Sequence, residues 1–74
     1  MDTFTVDIES RKVRHSSGAS ASFYRYRNDE DWQRSDVVTL HNPDLYDGPH
    51  AELARRAKEA ALAAGMGHGG KPSS

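Results

Sequence analysis

The chemically most pointed stretch of this chain is the hexapeptide at 22–27, SFYRYR, in which three aromatic rings are interleaved with two arginines. Surfaces that bind nucleic acid display such a mixture because bases stack on rings while phosphates pair with guanidinium groups. A second basic cluster, Arg11, Lys12, Arg14 and His15, lies shortly upstream. Arg11, Lys12, Arg14, Arg25 and Arg27 are therefore the candidate nucleic-acid contacts. Residues 28–47 have the opposite character, with six acidic groups against one basic. Within them Asp29, Glu30, Asp31 and Asp36 form a candidate acidic surface for a basic protein partner, steered by charge complementarity.

Other reactive side chains are present without the spacing that chemistry demands. His41 and His50 flank an aspartate-rich turn, but their separation matches no metal-ligand motif, and His68 falls in the C-terminal tail. The histidines read as surface or capping residues, with no metal and no cofactor expected. His15 beside Ser16 and Ser17 suggests nucleophilic catalysis, yet a catalytic hydroxyl needs a base held by a third group and an oxyanion pocket, which a hairpin tip lacks. Asp44 and Asp47 with Glu30 or Asp31 supply carboxylates for acid/base work, but a chain this short has little room for a substrate cavity. The segment DLYDGPH has the Asp and Gly of a calcium loop without its alternating ligands or distal Glu. No catalytic residue is assigned, and the chain is expected not to be an enzyme.

The elements that must position these groups follow from periodicity. Phe4 to Glu9 alternates apolar and polar with the period of a half-buried strand, and Ala19 to Arg27 is a second β-favouring run after the turn residues Ser16-Ser17-Gly18. A three-residue loop ending on glycine sets His15 opposite Ala19 and Val13 opposite Ala21. Continued as one long strand, the same register pairs Glu9 with Arg25, Asp7 with Arg27 and Ile8 with Tyr26. Tyr24 and Tyr26 then face the core and the two arginines lie on a charge-paired solvent face, with Phe23 and Val13 stranded on that outer side unless a bulge re-aims them. Asn28 caps a helical turn through Asp31 and Trp32, with the indole folding back over the sheet edge. Asp36 to His41 is a third strand, antiparallel beside the second.

Asn42-Pro43-Asp44 makes a turn, and Pro49 opens a helix that runs to Ala64 and stops at Gly65, with Gly48 or Asp47 as its cap. Leu53, Ala57, Ala60, Ala61 and Ala64 make its apolar stripe, and Glu52 with Arg56 and Arg55 with Glu59 its outer charge pairs. The expected fold is α+β: a three-stranded antiparallel sheet in order 1-2-3 with one C-terminal helix on one face, in a single domain over 1–66 followed by a disordered tail at 67–74. In architecture alone this arrangement resembles the small sheet-reading DNA-binding domains of some integrases and plant transcription factors. No motif residue is shared.

Composition bounds the function. The chain has 74 residues, no cysteine and a net charge of −1, far from the basic excess of a dedicated nucleic-acid binder. The absence of cysteine suits a reducing cytoplasm, MDTFTVDIES has neither the basic start nor the apolar run of a secretory signal, and charged residues interrupt the only long apolar stretch, so a cytoplasmic protein without a membrane span is expected. A core this small makes self-association as a homodimer reasonable, through the alanine stripe or an uncovered strand edge. The leading expectation is a protein-interaction module, an accessory or inhibitor protein of a bacterial or phage mobile element. A sheet-based DNA or RNA binder is the alternative.

Overall fold

A computed structural model describes residues 3–34 and 38–67. The chain forms β1 (Phe4–Asp7), β2 (Lys12–His15), β3 (Ser20–Phe23), a short helix α1 (Asp29–Arg34), β4 (Val38–His41), a single 3₁₀ turn (Pro43–Leu45) and the long helix α2 (His50–Ala63). The fold is α+β, and its antiparallel sheet has four strands in order β1-β2-β3-β4 rather than three in order 1-2-3.

The extra strand arises because the first β segment breaks in two. The Asp7 carboxylate accepts the backbone N–H groups of Glu9 and Ser10 at 3.1 and 3.3 Å, offering the backbone a local alternative to strand pairing. Arg11 N–H then donates to Ile8 C=O, and Arg11 adopts a left-handed conformation with φ 56°. The chain reverses within four residues, and β2 returns along β1 with Asp7 opposite Lys12 and Phe4 opposite His15. The expected pairs Glu9–Arg25, Asp7–Arg27 and Ile8–Tyr26 are therefore not formed.

The second reversal follows the expected register. His15 N–H donates to Ala19 C=O, and Val13 lies opposite Ala21. Gly18 ends this loop at φ 103°, where a Cβ would also come within 2.9 Å of Leu45 Cδ1. Strand β4 pairs antiparallel with β3, Ala21 opposite Leu40 and Phe23 opposite Val38. The positions expected for residues 35–37, Asp36 among them, and for 68–74 lie outside the described residues.

Helix α2 crosses the sheet on the face carrying Val13, Ala21 and Phe23. Leu53, Ala57 and Ala61 of its stripe are buried and Ala60 is partly buried, whereas Ala64 is exposed. Three alanines in that stripe let the helix backbone approach the sheet closely, and the volume they leave at one end is filled by Trp32 of α1, 1% exposed and edge-on to Phe23 at 5.3 Å. Asn28 caps α1, its side-chain oxygen accepting Asp31 N–H at 2.8 Å. Pro49 stands one place earlier than expected, as the residue before α2 and not its first, with no side chain capping the helix there.

The assignment of aromatics to the core is also corrected. Phe23 and Val13 face inward, Tyr24 is 55% exposed, and Tyr26 is half-buried against Trp32. With β1 ending at Asp7, β3 answers only to β2 and β4, and the inward row of β3 is the odd-numbered one.

Helix α2 ends in a Schellman motif: Met66 N–H donates to Ala61 C=O at 2.9 Å and Gly65 N–H to Leu62 C=O at 3.0 Å, with Gly65 at φ 89°. This turn returns Met66 to the core, where its carbonyl accepts the Trp32 indole N–H. Nothing lies within 4 Å of a Cβ at Gly65, so Gly65→Ala carries a conformational cost alone. We expect it to lower unfolding free energy by roughly 1 kcal/mol, measured by urea titration of Trp32 fluorescence. An unchanged midpoint would show that the left-handed turn adds nothing.

Candidate nucleic-acid interface

The sheet has one covered and one uncovered face. Opposite α2, alternation and register place two rows across all four strands: Thr5, Arg14, Ser20 and His41 in one, and Asp7, Lys12, Ser22 and Thr39 in the other. Small serines occupy β3 while longer side chains stand on β2 and β4. The face is therefore a shallow hydroxyl-lined trough about 10 Å between the flanking strand axes, two strand spacings, and about 13 Å long. Its basic wall is Lys12 and Arg14, and its other wall is Thr39 and His41. His41 is held across the floor by Ser22, Oγ to Nε2 at 2.9 Å.

Asp7 is the one carboxylate in these rows. Hydrogen bonds from Ser10, then from Glu9, together with the charge of Arg14, hold its carboxyl below the ordinary value of 3.8. Those contacts tie it to its own turn. Its cross-strand neighbour Lys12 is half-buried, and Arg14, flanked by Thr5 and Ser20, is exposed.

The five candidate basic contacts separate into two groups. Arg14, Arg25 and Arg27 are exposed and Lys12 is half-buried, whereas Arg11 is withdrawn from solvent at 5% exposure. Its guanidinium lies 5.2 Å from the Trp32 ring centroid and donates to the carbonyls of Gly67 at 2.7 Å and Tyr24 at 3.0 Å. Its Nε is buried without a partner. Burial, then the nearby charge of Arg25, pulls its pKa below the ordinary value. Arg11 thus acts as a clasp between the first turn, the end of β3 and the C-terminal segment. The buried Arg11 could not be distinguished in the sequence from its neighbours Lys12 and Arg14; the one available signal was the turn chemistry of Asp7 and Ser10 just before it.

Sequence reasoning missed His15 altogether as an interior group. It is 7% exposed, between the rings of Phe4 at 4.8 Å and Tyr46 at 5.1 Å. Its Nδ1 accepts Ser17 N–H at 3.1 Å and lies 2.8 Å from Ser17 Oγ, so the neutral tautomer carrying hydrogen on Nε2 satisfies the site. Ser17 Oγ in turn accepts Ala19 N–H. The His15–Ser17 contact locks the hairpin tip.

Three of the acidic-surface candidates share one turn, whereas the carboxylates considered for acid/base work lie on separate elements. Asp29, Glu30 and Asp31 occupy the first turn of α1, where Glu30 and Asp31 approach Arg34 at 3.6 and 3.5 Å. Asp44 lies 3.3 Å from His50 beside the 3₁₀ turn. The carboxylate pair considered for acid/base work is therefore divided between local contacts. On α2, Arg55 meets Glu59 at 2.9 Å, while Arg56 donates to the Tyr46 hydroxyl at 2.7 Å and stacks over Phe4. Among the described residues, no group of three or more His, Cys, Asp or Glu side chains is arranged to hold a metal ion, and no helix is long and apolar enough to cross a membrane.

Comparison with known proteins finds no matching family model, no matching curated protein and no matching solved structure.

Two outcomes are expected of this arrangement. Arg11→Lys loses the planar fork that serves two carbonyls while lying against the indole, and should cost about 2 kcal/mol in urea unfolding; a loss under about 0.5 kcal/mol would remove the clasp. Because the folded-state pKa of Asp7 is depressed, its charge stabilises the fold above pH 3.8 and that contribution disappears as pH falls through the lower folded value. The stability gap between wild type and Asp7→Asn should therefore narrow as pH falls through 3.8 and below. A gap independent of pH would contradict the assignment.

Proposed function

We propose that the protein is a non-enzymatic nucleic-acid-binding module whose working surface is the uncovered face of the sheet together with the chain leaving β3. The observation that carries this reading is the joint presentation of Lys12 and Arg14 with four hydroxyl side chains on one open face, next to the exposed Arg25 and Arg27. Hydroxyls and guanidinium groups are the side chains that bind phosphate and sugar oxygens. Asp7 stands opposite Lys12 on this face, and its carboxylate is tied by hydrogen bonds to its own turn. The acidic groups of residues 28–34 and 42–48 belong to α1 and the turns before α2, and neither open-face row includes one of them.

Two Ser–His contacts, Ser17 with His15 and Ser22 with His41, favour no enzyme. The first serves the hairpin tip, and the second lies on a flat open face where, among the described residues, no third polar group orients the imidazole.

A protein partner is the second reading, favoured by the three acidic residues in the first turn of α1. In that case the chain acts as an accessory or inhibitor protein that meets a basic surface.

The test is fluorescence anisotropy with a mixed-sequence oligonucleotide, single-stranded and duplex, against the full chain in low salt. Four engaged cations predict a slope of log K against log salt of about −3, and Lys12→Ala with Arg14→Ala should make it shallower by 1 to 2, roughly. Absence of binding to both forms at protein concentrations up to about 10⁻⁴ M, the weak end of non-specific affinity, would remove this function and leave the protein partner.

A further inference from the structure

We infer that the nucleic acid taken by this face is single-stranded, and that Tyr24 is the ring on which a base stacks. The inference rests on the nucleic-acid reading above and narrows it.

Width argues first. Four strands set the outer strand axes about 14 Å apart, whereas the major groove of duplex DNA is about 12 Å wide and admits a helix or a two-stranded ribbon. The whole face cannot enter the groove, so a duplex would meet only its rim. A single strand can lie along the trough of β3, which is about 10 Å across between its flanking strands.

The second argument is Tyr24 itself. In a chain short of core material a tyrosine left 55% exposed is a lost opportunity for burial, and its neighbour Phe23 is buried in the core. Ser20 and Ser22 stand on the outer side of β3, which ends at Phe23, and Tyr24 is the first residue beyond that end. Its backbone is fixed there: Tyr24 C=O accepts from the Arg11 guanidinium, which is itself held against Trp32. The ring is therefore presented from an anchored position.

Charge complementarity completes the site. Lys12 stands directly opposite Ser22 at the same end of the sheet, and Arg25 and Arg27 follow Tyr24 in the chain, both exposed. An exposed aromatic ring in a stretch of chain close to several cations suits an unpaired base with its flanking phosphates. Paired bases offer no face to a ring, so Tyr24 discriminates the two forms where phosphate contacts do not.

The experiment compares wild type, Tyr24→Ala and Tyr24→Phe by anisotropy with a mixed-sequence single-stranded oligonucleotide and its duplex at equal, low salt. Trp32 fluorescence verifies that each variant is folded, which the exposure of Tyr24 permits. Wild type is expected to bind the single strand at least several-fold more tightly than the duplex. Tyr24→Ala should lose about tenfold in single-strand affinity with little change for duplex, and Tyr24→Phe should keep wild-type affinity, since stacking needs the ring and not the hydroxyl. Binding of both forms with equal affinity, or a Tyr24→Ala variant indistinguishable from wild type, overturns the stacking site while leaving the basic face as a binder. Loss of single-strand binding in Tyr24→Phe as well as in Tyr24→Ala also overturns it. Failure of both forms to bind removes the wider function too.

Discussion

Enclosing one indole is the constraint on which the rest of this structure depends. Trp32 is the chain's single tryptophan and among its largest fully buried side chains, and the elements around it are distant in sequence. Phe23 of β3 meets its edge, Tyr26 lies tilted at 6.3 Å, and the cations of Arg11 and Lys58 lie 5.2 and 4.9 Å from its centroid. Its N–H donates to Met66 C=O. Lys58 also donates to the carbonyls of Trp32 and Gln33 near the C-terminal end of α1, where positive charge is favourable, and so joins the short helix to the long one. A six-residue helix has no stability of its own in water; packing around Trp32 supplies what propensity does not.

The buried guanidinium of Arg11 is the costly part of that arrangement. Removing a charge from water carries a penalty that two charge-assisted bonds to carbonyls and contact with an aromatic face only partly offset, and its Nε is left without a partner. Left-handed backbone at a non-glycine residue adds strain. In return, one side chain bridges the β1–β2 turn, the end of β3 and Gly67. The sharp reversal at residues 8–11 is what divides the first β segment. That division, in turn, sets Lys12 and Arg14 on the uncovered face and leaves Glu9 in a turn instead of a strand pair with Arg25.

Much of this was legible in sequence wherever local chemistry decides. The Ser16-Ser17-Gly18 loop, the Val13–Ala21 register, the Asn28 cap, the inward fold of Trp32, the antiparallel strand beside β3 and the end of α2 at Gly65 each follow from residue type within a few positions. The break after Asp7 was not seen because Phe4 to Glu9 alternates without interruption; Asp7 and Ser10 hold the turn signal, but neither is glycine or proline, and the left-handed position is filled by an arginine. That single omission reversed the roles of Phe23 and Tyr24, since a β face is decided by parity and by what pairs with it. Of the candidate site, Lys12, Arg14, Arg25 and Arg27 were identifiable from the sequence as basic groups flanking one predicted hairpin. The burial of Arg11 was not, because a buried arginine is defined by its tertiary partners Trp32, Tyr24 and Gly67 and leaves no mark on its own neighbourhood. The interior position of His15 escaped notice for the same reason, its ring neighbours Phe4 and Tyr46 lying 11 and 31 residues away.

A net charge of −1 sits uneasily with a polyanionic ligand only if charge is taken as a whole-molecule quantity. Here it is unevenly distributed: residues 28–47 hold −5, with Asp29, Glu30 and Asp31 on α1 and Asp44 and Asp47 between β4 and α2, while the open-face rows carry Lys12, Arg14 and the single carboxylate Asp7. At about 0.1 M salt the Debye length is about 10 Å, so a phosphate in the β3 trough responds mainly to the cations beside it. The long-range attraction that carries strongly basic proteins onto any duplex is correspondingly weak in this chain. Contacts that salt does not screen must then supply a larger share of affinity, and stacking on an aromatic ring is such a contact. On the proposed single-strand reading, low net charge and an exposed, anchored tyrosine are two sides of one solution: a face that discriminates unpaired bases by their rings would gain selectivity from having little indiscriminate attraction for phosphate.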